Sequence, residues 1–130
     1  MRFQRQIDAT AIGLVTIVTV AGLVLWSRLP AELVIHWSGG QPDTVVSKPI
    51  ALAIPITLTI GAIAFIRLAP PSLTSTPGGP NLSVLFVGGV IAWIQVITIV
   101  WNLGYHFDVW LAMLPILLAG AALVVYATRF

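Results

Sequence analysis

The sequence predicts an all-α polytopic membrane protein, with four transmembrane helices in one bundle and a structured external loop between the first and the second. Four apolar runs, about 9–28, 49–68, 82–103 and 109–128, take up most of the 130 residues and carry no Asp, Glu, Lys or Arg away from their ends. Each is close to the ~20 residues that a helix rising about 1.5 Å per residue needs to cross ~30 Å of hydrocarbon. Composition agrees: 58% of residues are hydrophobic and 8% charged, with a mean hydropathy of +1.03, against about 25% charged in a soluble domain. A backbone in lipid must satisfy its own hydrogen bonds, and the ~10-residue alternating segments of a barrel are absent, so the spans are helices. Residues 1–130 then form a single four-helix domain whose solvent is the lipid bilayer.

The first run follows Arg2 and Arg5, as the core of a signal peptide would. It is longer than an h-region of about 7–15 residues, and the stretch Trp26-Ser27-Arg28-Leu29-Pro30 is a poor cleavage site, so it is expected to stay as the first helix. Asp8, Ser47, Asn81 and Asp108 stand just before the four runs, where a side-chain oxygen can accept from first-turn N–H groups, and Pro49 suits a first turn. Pro55 and Pro115 lie inside the second and fourth runs and are expected to bend them, either as static kinks or as a gate. The second connection, 70–80, is rich in Pro, Gly, Ser and Thr and reads as a solvated linker.

Charge bias sets the orientation. A cytoplasmic N-terminus places Arg2, Arg5, Arg67 and Arg129 inside and leaves Arg28 and Lys48 outside, while the third connection, 104–108, has no Lys or Arg. Both termini are then cytoplasmic and the protein sits in the cell membrane.

Apolar burial cannot bring helices together in lipid, so small and polar residues should mark the inward faces. On the third run Gly88, Ala92, Gln95, Thr98 and Asn102 share a stripe, with Trp93, Ile97 and Trp101 pointing away. The second run offers Ala53, Thr57, Gly61 and Ala64, and the fourth Ala112, Pro115, Ala119, Ala122 and Tyr126, so these three stripes are expected to face each other. The first run has a weaker version in Gly13 and Thr16. Gln95, Thr98 and Asn102 are either hydrogen-bonding glue between helices or the substrate site of a small transporter; no acidic residue, His or Lys lies inside a span to relay protons.

No cysteine is present, which removes disulfides and thiolate chemistry. Ten charged side chains are too few for a nucleic-acid footprint, and no nucleophilic triad, phosphate-cradling loop or carboxylate pair occurs, so neither an enzyme nor a cofactor is expected. Monomer and homo-oligomer are both compatible with the composition.

The first connection, 29–48, differs from the others. It holds half of the acidic residues, the only lysine and one of the two histidines. Pro30 can open a short helix that Glu32 favours, with Leu33 and Trp37 at i and i+4 dipping toward the headgroups, and Gly39-Gly40 and Pro42-Asp43 supply turns. A metal site from His36, His106, Asp43 and Asp108 is a weak candidate, since no fixed ligand spacing supports it. Asp43 and Lys48 can pair across the loop while His36 donates to a turn carbonyl; otherwise these side chains face a partner.

The order Leu29-Pro30, His36-Trp37, Gly40, Pro42-Asp43, Ser47-Lys48, Pro49, leading into a span with Pro55, resembles the membrane domain of unknown function found in SdpI-like proteins. The resemblance implies a relation to the immunity and signalling partners of a secreted bacterial toxin peptide, and marks Pro30, His36, Trp37, Gly40, Pro42, Asp43, Ser47 and Lys48 as the motif. The expected function is binding of a peptide or membrane-protein partner at this loop. The other readings are an accessory subunit of a larger membrane complex and the small transporter.

Overall fold

The computed structural model describes residues 2–70 and 79–129. Helix α1 (Arg2–Val24) runs into a short 3₁₀ turn, Trp26–Arg28. Strands β1 (Glu32–Ser38) and β2 (Gln41–Ser47) follow as an antiparallel pair, and then come α2 (Lys48–Leu68), α3 (Gly79–Asn102), α4 (Val109–Ala112) and α5 (Leu114–Arg129). Four segments are long and apolar enough to cross a membrane: Arg2–Val24, Lys48–Leu68, Gly79–Asn102 and Val109–Tyr126, with mean hydropathies from 2.0 to 2.3. The chain is a multi-pass, mostly helical membrane protein whose described residues contain one small sheet. Most of the expected 70–80 linker, residues 71–78, lies outside the described residues.

The helix ends differ from the expected caps. Helix α1 starts at Arg2, so Asp8 sits inside it, and its Oδ1 accepts from Arg67 Nη2 at 2.8 Å and Nε at 3.2 Å. An ion pair between two helices therefore replaces a cap, and it places the start of α1 beside the end of α2. Asn81 likewise lies inside α3, and Ser47 stands at the N-cap of α2 without a capping side-chain bond. Asp108 does cap: its Oδ1 accepts from the Trp110 N–H at 2.9 Å and from the Leu111 N–H at 3.4 Å.

The fourth run is interrupted where a continuous bent helix was expected. Pro115 has no N–H for the Leu111 carbonyl and its ring crowds that carbonyl, so the helix stops at Ala112 and restarts at Leu114 with the proline in its first turn. The Ala112 carbonyl accepts instead from Trp93 Nε1 at 2.7 Å, which ties the break to α3. Pro55 remains inside α2 as expected.

Helix α3 is the centre of the bundle: 44% of its spanning window is buried, against none of the fourth span's. It packs chiefly on α1 and α2 and touches the fourth span more sparsely, and Ala53, Thr57, Gly61 and Ala64 of α2 are exposed, which corrects the expected meeting of three stripes. The cause is a close approach at Gly88, where a Cβ would stand 2.7 Å from Ala11 Cβ and 3.1 Å from Ala11 Cα. Ile7, Ala11 and Val84 form a buried cluster at that crossing. Higher on the same face Gln95 Nε2 donates to Thr19 Oγ1 at 2.9 Å. Ala119 and Ala122 of α5 line an open groove of about 800 Å³ against α3. Ile97 and Trp101, expected to point outward, are buried at 4% and 9% exposure because the connections fold over them.

Candidate functional site

The stretch expected to open as a short helix is a β-hairpin. Its centre is β-branched on both sides of Gly39-Gly40, and a two-residue connection of type I′, whose twist matches that of the strands, takes positive φ at both positions. Gly39 and Gly40 supply φ of 56° and 80°, and Ser38 then pairs with Gln41 and Trp37 with Pro42. Pairing runs on to Glu32 opposite Ser47, with an irregularity around Ile35. Pro30 lies in the turn ahead of β1.

The hairpin is seated on the bundle rather than solvated. Leu33 is fully buried in a cluster with Leu29, Ala51 and Ile99. Asn102, the last residue of α3, closes on the strand at Val34: Oδ1 accepts from the Val34 N–H at 2.9 Å and Nδ2 donates to the Val34 carbonyl at 2.9 Å. Trp101 meets Trp37 edge-on with ring centroids 5.6 Å apart and stacks on His106 at 4.4 Å. It also takes Phe107 edge-on at 5.7 Å, so one indole fastens both the hairpin and the third connection.

The motif's polar residues divide into two groups. Lys48 Nζ donates to the Trp26 carbonyl at 2.8 Å and to the Leu29 carbonyl at 3.1 Å, and lies 4.4 Å from the Trp26 ring centroid. It thereby caps the exit of the first span and does not pair with Asp43 as expected. Asp43 sits on the outer part of β2, where Ser38 Oγ, His36 Nδ1 at 2.7 Å and Thr44 Oγ1 at 2.8 Å all reach its carboxylate. These bonds, Ser38 first, then His36 and Thr44, hold its pKa at about 2, down from the ordinary 3.8. An ionised carboxylate only accepts, so His36 Nδ1 carries a proton and donates it to Asp43, not to a turn carbonyl.

The suggested metal set is not assembled. Among the described residues no group of three or more His, Cys, Asp or Glu side chains is placed to hold an ion. His106 is stacked on Trp101, and Asp108 is engaged as a cap.

Between the hairpin and the start of the fourth span lies an apolar groove of about 230 Å³. Ile35 and Trp37 of β1, Ile94 and Ile97 of α3, and Trp110 and Met113 of the fourth span form its walls, with His36 and Gly40 also contributing. Trp37 Nε1 is buried without a hydrogen-bond partner. A buried N–H without a partner gains from an acceptor that reaches it, and the groove's apolar surface suits an aliphatic or aromatic side chain.

Residues 13–59 match the domain of unknown function DUF1648. The Immunity protein SdpI of Bacillus subtilis (strain 168) is 28% identical to this chain over an alignment of 96 residues that covers 69% of the chain and 44% of that protein. The chain is similar to an SdpI-like membrane domain. The chain spans less than half the length of that relative. No solved structure matches it.

The DUF1648 match takes in the second half of α1, the whole hairpin and the first half of α2 as far as Thr59, so it centres on the hairpin and the span ends that carry it. The third span's polar stripe lies outside it. Its members take separate partners: Gln95 bonds Thr19, the Thr98 hydroxyl bonds the Ile94 carbonyl at 2.9 Å, and Asn102 holds Val34. Leu33, Ser38 and Trp101 were missed as site residues. Leu33 and Trp101 resemble ordinary apolar positions until the hairpin folds onto α3. Ser38 was legible only by counting across the two-glycine turn, which puts it near Asp43.

Proposed function

We propose that this chain is a non-enzymatic membrane protein that captures a hydrophobic peptide or protein partner in the groove between its hairpin and its fourth span, in the manner of an immunity protein. The observation that carries this reading is the groove itself: an apolar recess at the mouth of the bundle lined by Trp37, whose buried indole N–H has no hydrogen-bond partner. Trp37 donates to a carbonyl of the bound segment while Ile35, Trp110 and Met113 take its side chain. The bonds of Asp43 to His36, Ser38 and Thr44 stiffen the hairpin that forms one wall. The name of the Bacillus subtilis relative supports the reading, and so does the coincidence of the matched residues with the hairpin.

The hairpin faces the outside in this reading, and Arg2, Arg5, Arg67 and Arg129 face the cytoplasm. Cells expressing the protein should survive a secreted membrane-active peptide that kills cells without it. Filling the groove with Gly40-sparing Ile97→Trp, or removing its donor with Trp37→Phe, should reduce that protection while the protein still reaches the membrane. Undiminished protection by both variants would contradict the proposal.

A second reading, an accessory subunit, draws on the fourth span, none of whose window is buried. Such a span can pack against a larger membrane complex. Co-purification of stoichiometric membrane proteins in mild detergent would favour it, and a monodisperse isolated chain would oppose it.

A further inference from the structure

A second cavity, of about 170 Å³, lies between α2 and α3 beneath the hairpin. Ala51, Pro55 and Leu58 line it from α2, Ile91 and Gln95 from α3, and Leu33 and Ile35 cover it. Gln95 stands seven residues before the end of α3 and Pro55 seven residues after the start of α2, so both lie about 10 Å below the hairpin end of the bundle.

The polar groups of this cavity are unbalanced. Gln95 is 3% exposed and its Nε2 donates to Thr19 Oγ1, whose own proton goes to the Val15 carbonyl at 2.9 Å. The Thr19 hydroxyl can therefore only accept from Gln95, which fixes the amide's orientation, and Gln95 Oε1 is left buried without a partner. Pro55 has no N–H to give the Ala51 carbonyl, which belongs to another cavity-lining residue. The Thr98 hydroxyl is spent on its own helix. A buried acceptor without a donor, in a wall otherwise apolar and immersed in lipid, defines what fits: a body of hydrocarbon carrying an O–H or N–H.

We propose that this cavity binds a small, mainly apolar molecule with one hydrogen-bond donor, of the phenol class, held by the side-chain carbonyl of Gln95. Its volume is of the order that admits a single benzene-sized ring. Leu58 in its wall is 56% exposed, so the ligand enters sideways from the bilayer between α2 and α3. The proposal does not depend on peptide capture in the groove, although Ile35 and Ile94 border both spaces.

The test is ¹⁹F NMR titration of the purified chain in lipid nanodiscs with 4-fluorophenol and with 4-fluorotoluene. The phenol should bind saturably and about tenfold more tightly than the toluene, the factor one hydrogen bond supplies. Gln95→Met should erase that preference. Ile91→Phe, which fills the cavity and leaves Gln95 unchanged, should abolish saturable binding of both probes, and it keeps the test valid should the Gln95 variant fail to fold. Equal affinities for the two probes, absence of saturable phenol binding, or binding that survives Ile91→Phe would each overturn the proposal.

Discussion

The carboxamide of Asn102 bonds both backbone groups of Val34, N–H and carbonyl, each at 2.9 Å. A side chain at the end of a helix thus takes the place of a neighbouring strand at the point where pairing within the hairpin is irregular, between Val34 and His36. Replacing it with leucine leaves a half-buried donor and acceptor unpaired. Asn102→Leu should weaken hairpin docking by about 2–4 kcal/mol, with Asn102→Asp intermediate because it keeps the acceptor. Hydrogen exchange at the Val34 amide should accelerate accordingly. Unchanged protection in the leucine variant would show that Leu33 alone seats the hairpin.

The crossing of α1 and α3 tolerates no side chain at Gly88. An added Cβ meets Ala11 backbone at 3.1 Å as well as its Cβ at 2.7 Å, so a neighbouring helix has to shift. Gly88→Ala should lower stability by about 1–3 kcal/mol, read as a reduced Tm in detergent. Gly13→Ala, where an added Cβ finds nothing within 4 Å, serves as the neutral control.

The spans were legible because hydropathy and length are local properties, and lipid imposes helices on any sequence long and apolar enough. The hairpin was not. Residues 32–38 carry Leu33 and Trp37 at a spacing that suits a helix as well as a strand, and only the paired geometry of Gly39-Gly40 decides between them. The partner of Asn102 lies 68 residues away, the partner of Arg67 59 residues away, and no periodicity in one segment encodes them. On the α3 stripe Gln95 bonds Thr19 and Asn102 bonds Val34, but the face of α1 that meets it was misjudged. Gly13 and Thr16 looked like a weak face, whereas Ala11 and Thr19 make the contacts.

Acid should loosen the hairpin within a defined window. Asp43 has its pKa held at about 2, below the ordinary 3.8, by the donors Ser38, His36 and Thr44. A lowered folded-state value stabilises the hairpin fully above pH ~3.8 and progressively less as pH falls through that value toward 2. The Asp43 contribution should therefore be constant from pH 8 to about 5 and fade between about 4 and 2. An NMR titration of the Asp43 carboxyl carbon gives its midpoint directly. A midpoint at or above 3.8 would mean that the three donors do not hold the carboxylate in solution, and Asp43→Asn should remove the acid sensitivity.

We propose that the hairpin is the outward-facing recognition wall of this membrane protein. Because the chain has no cysteine, single thiols can be introduced cleanly at exposed Thr44 on β2 and at exposed Thr128 near the end of α5. With a membrane-impermeant maleimide on intact cells, the account predicts labelling of Thr44→Cys and none of Thr128→Cys until the cells are opened. Labelling of Thr128→Cys alone, or of both, would contradict it.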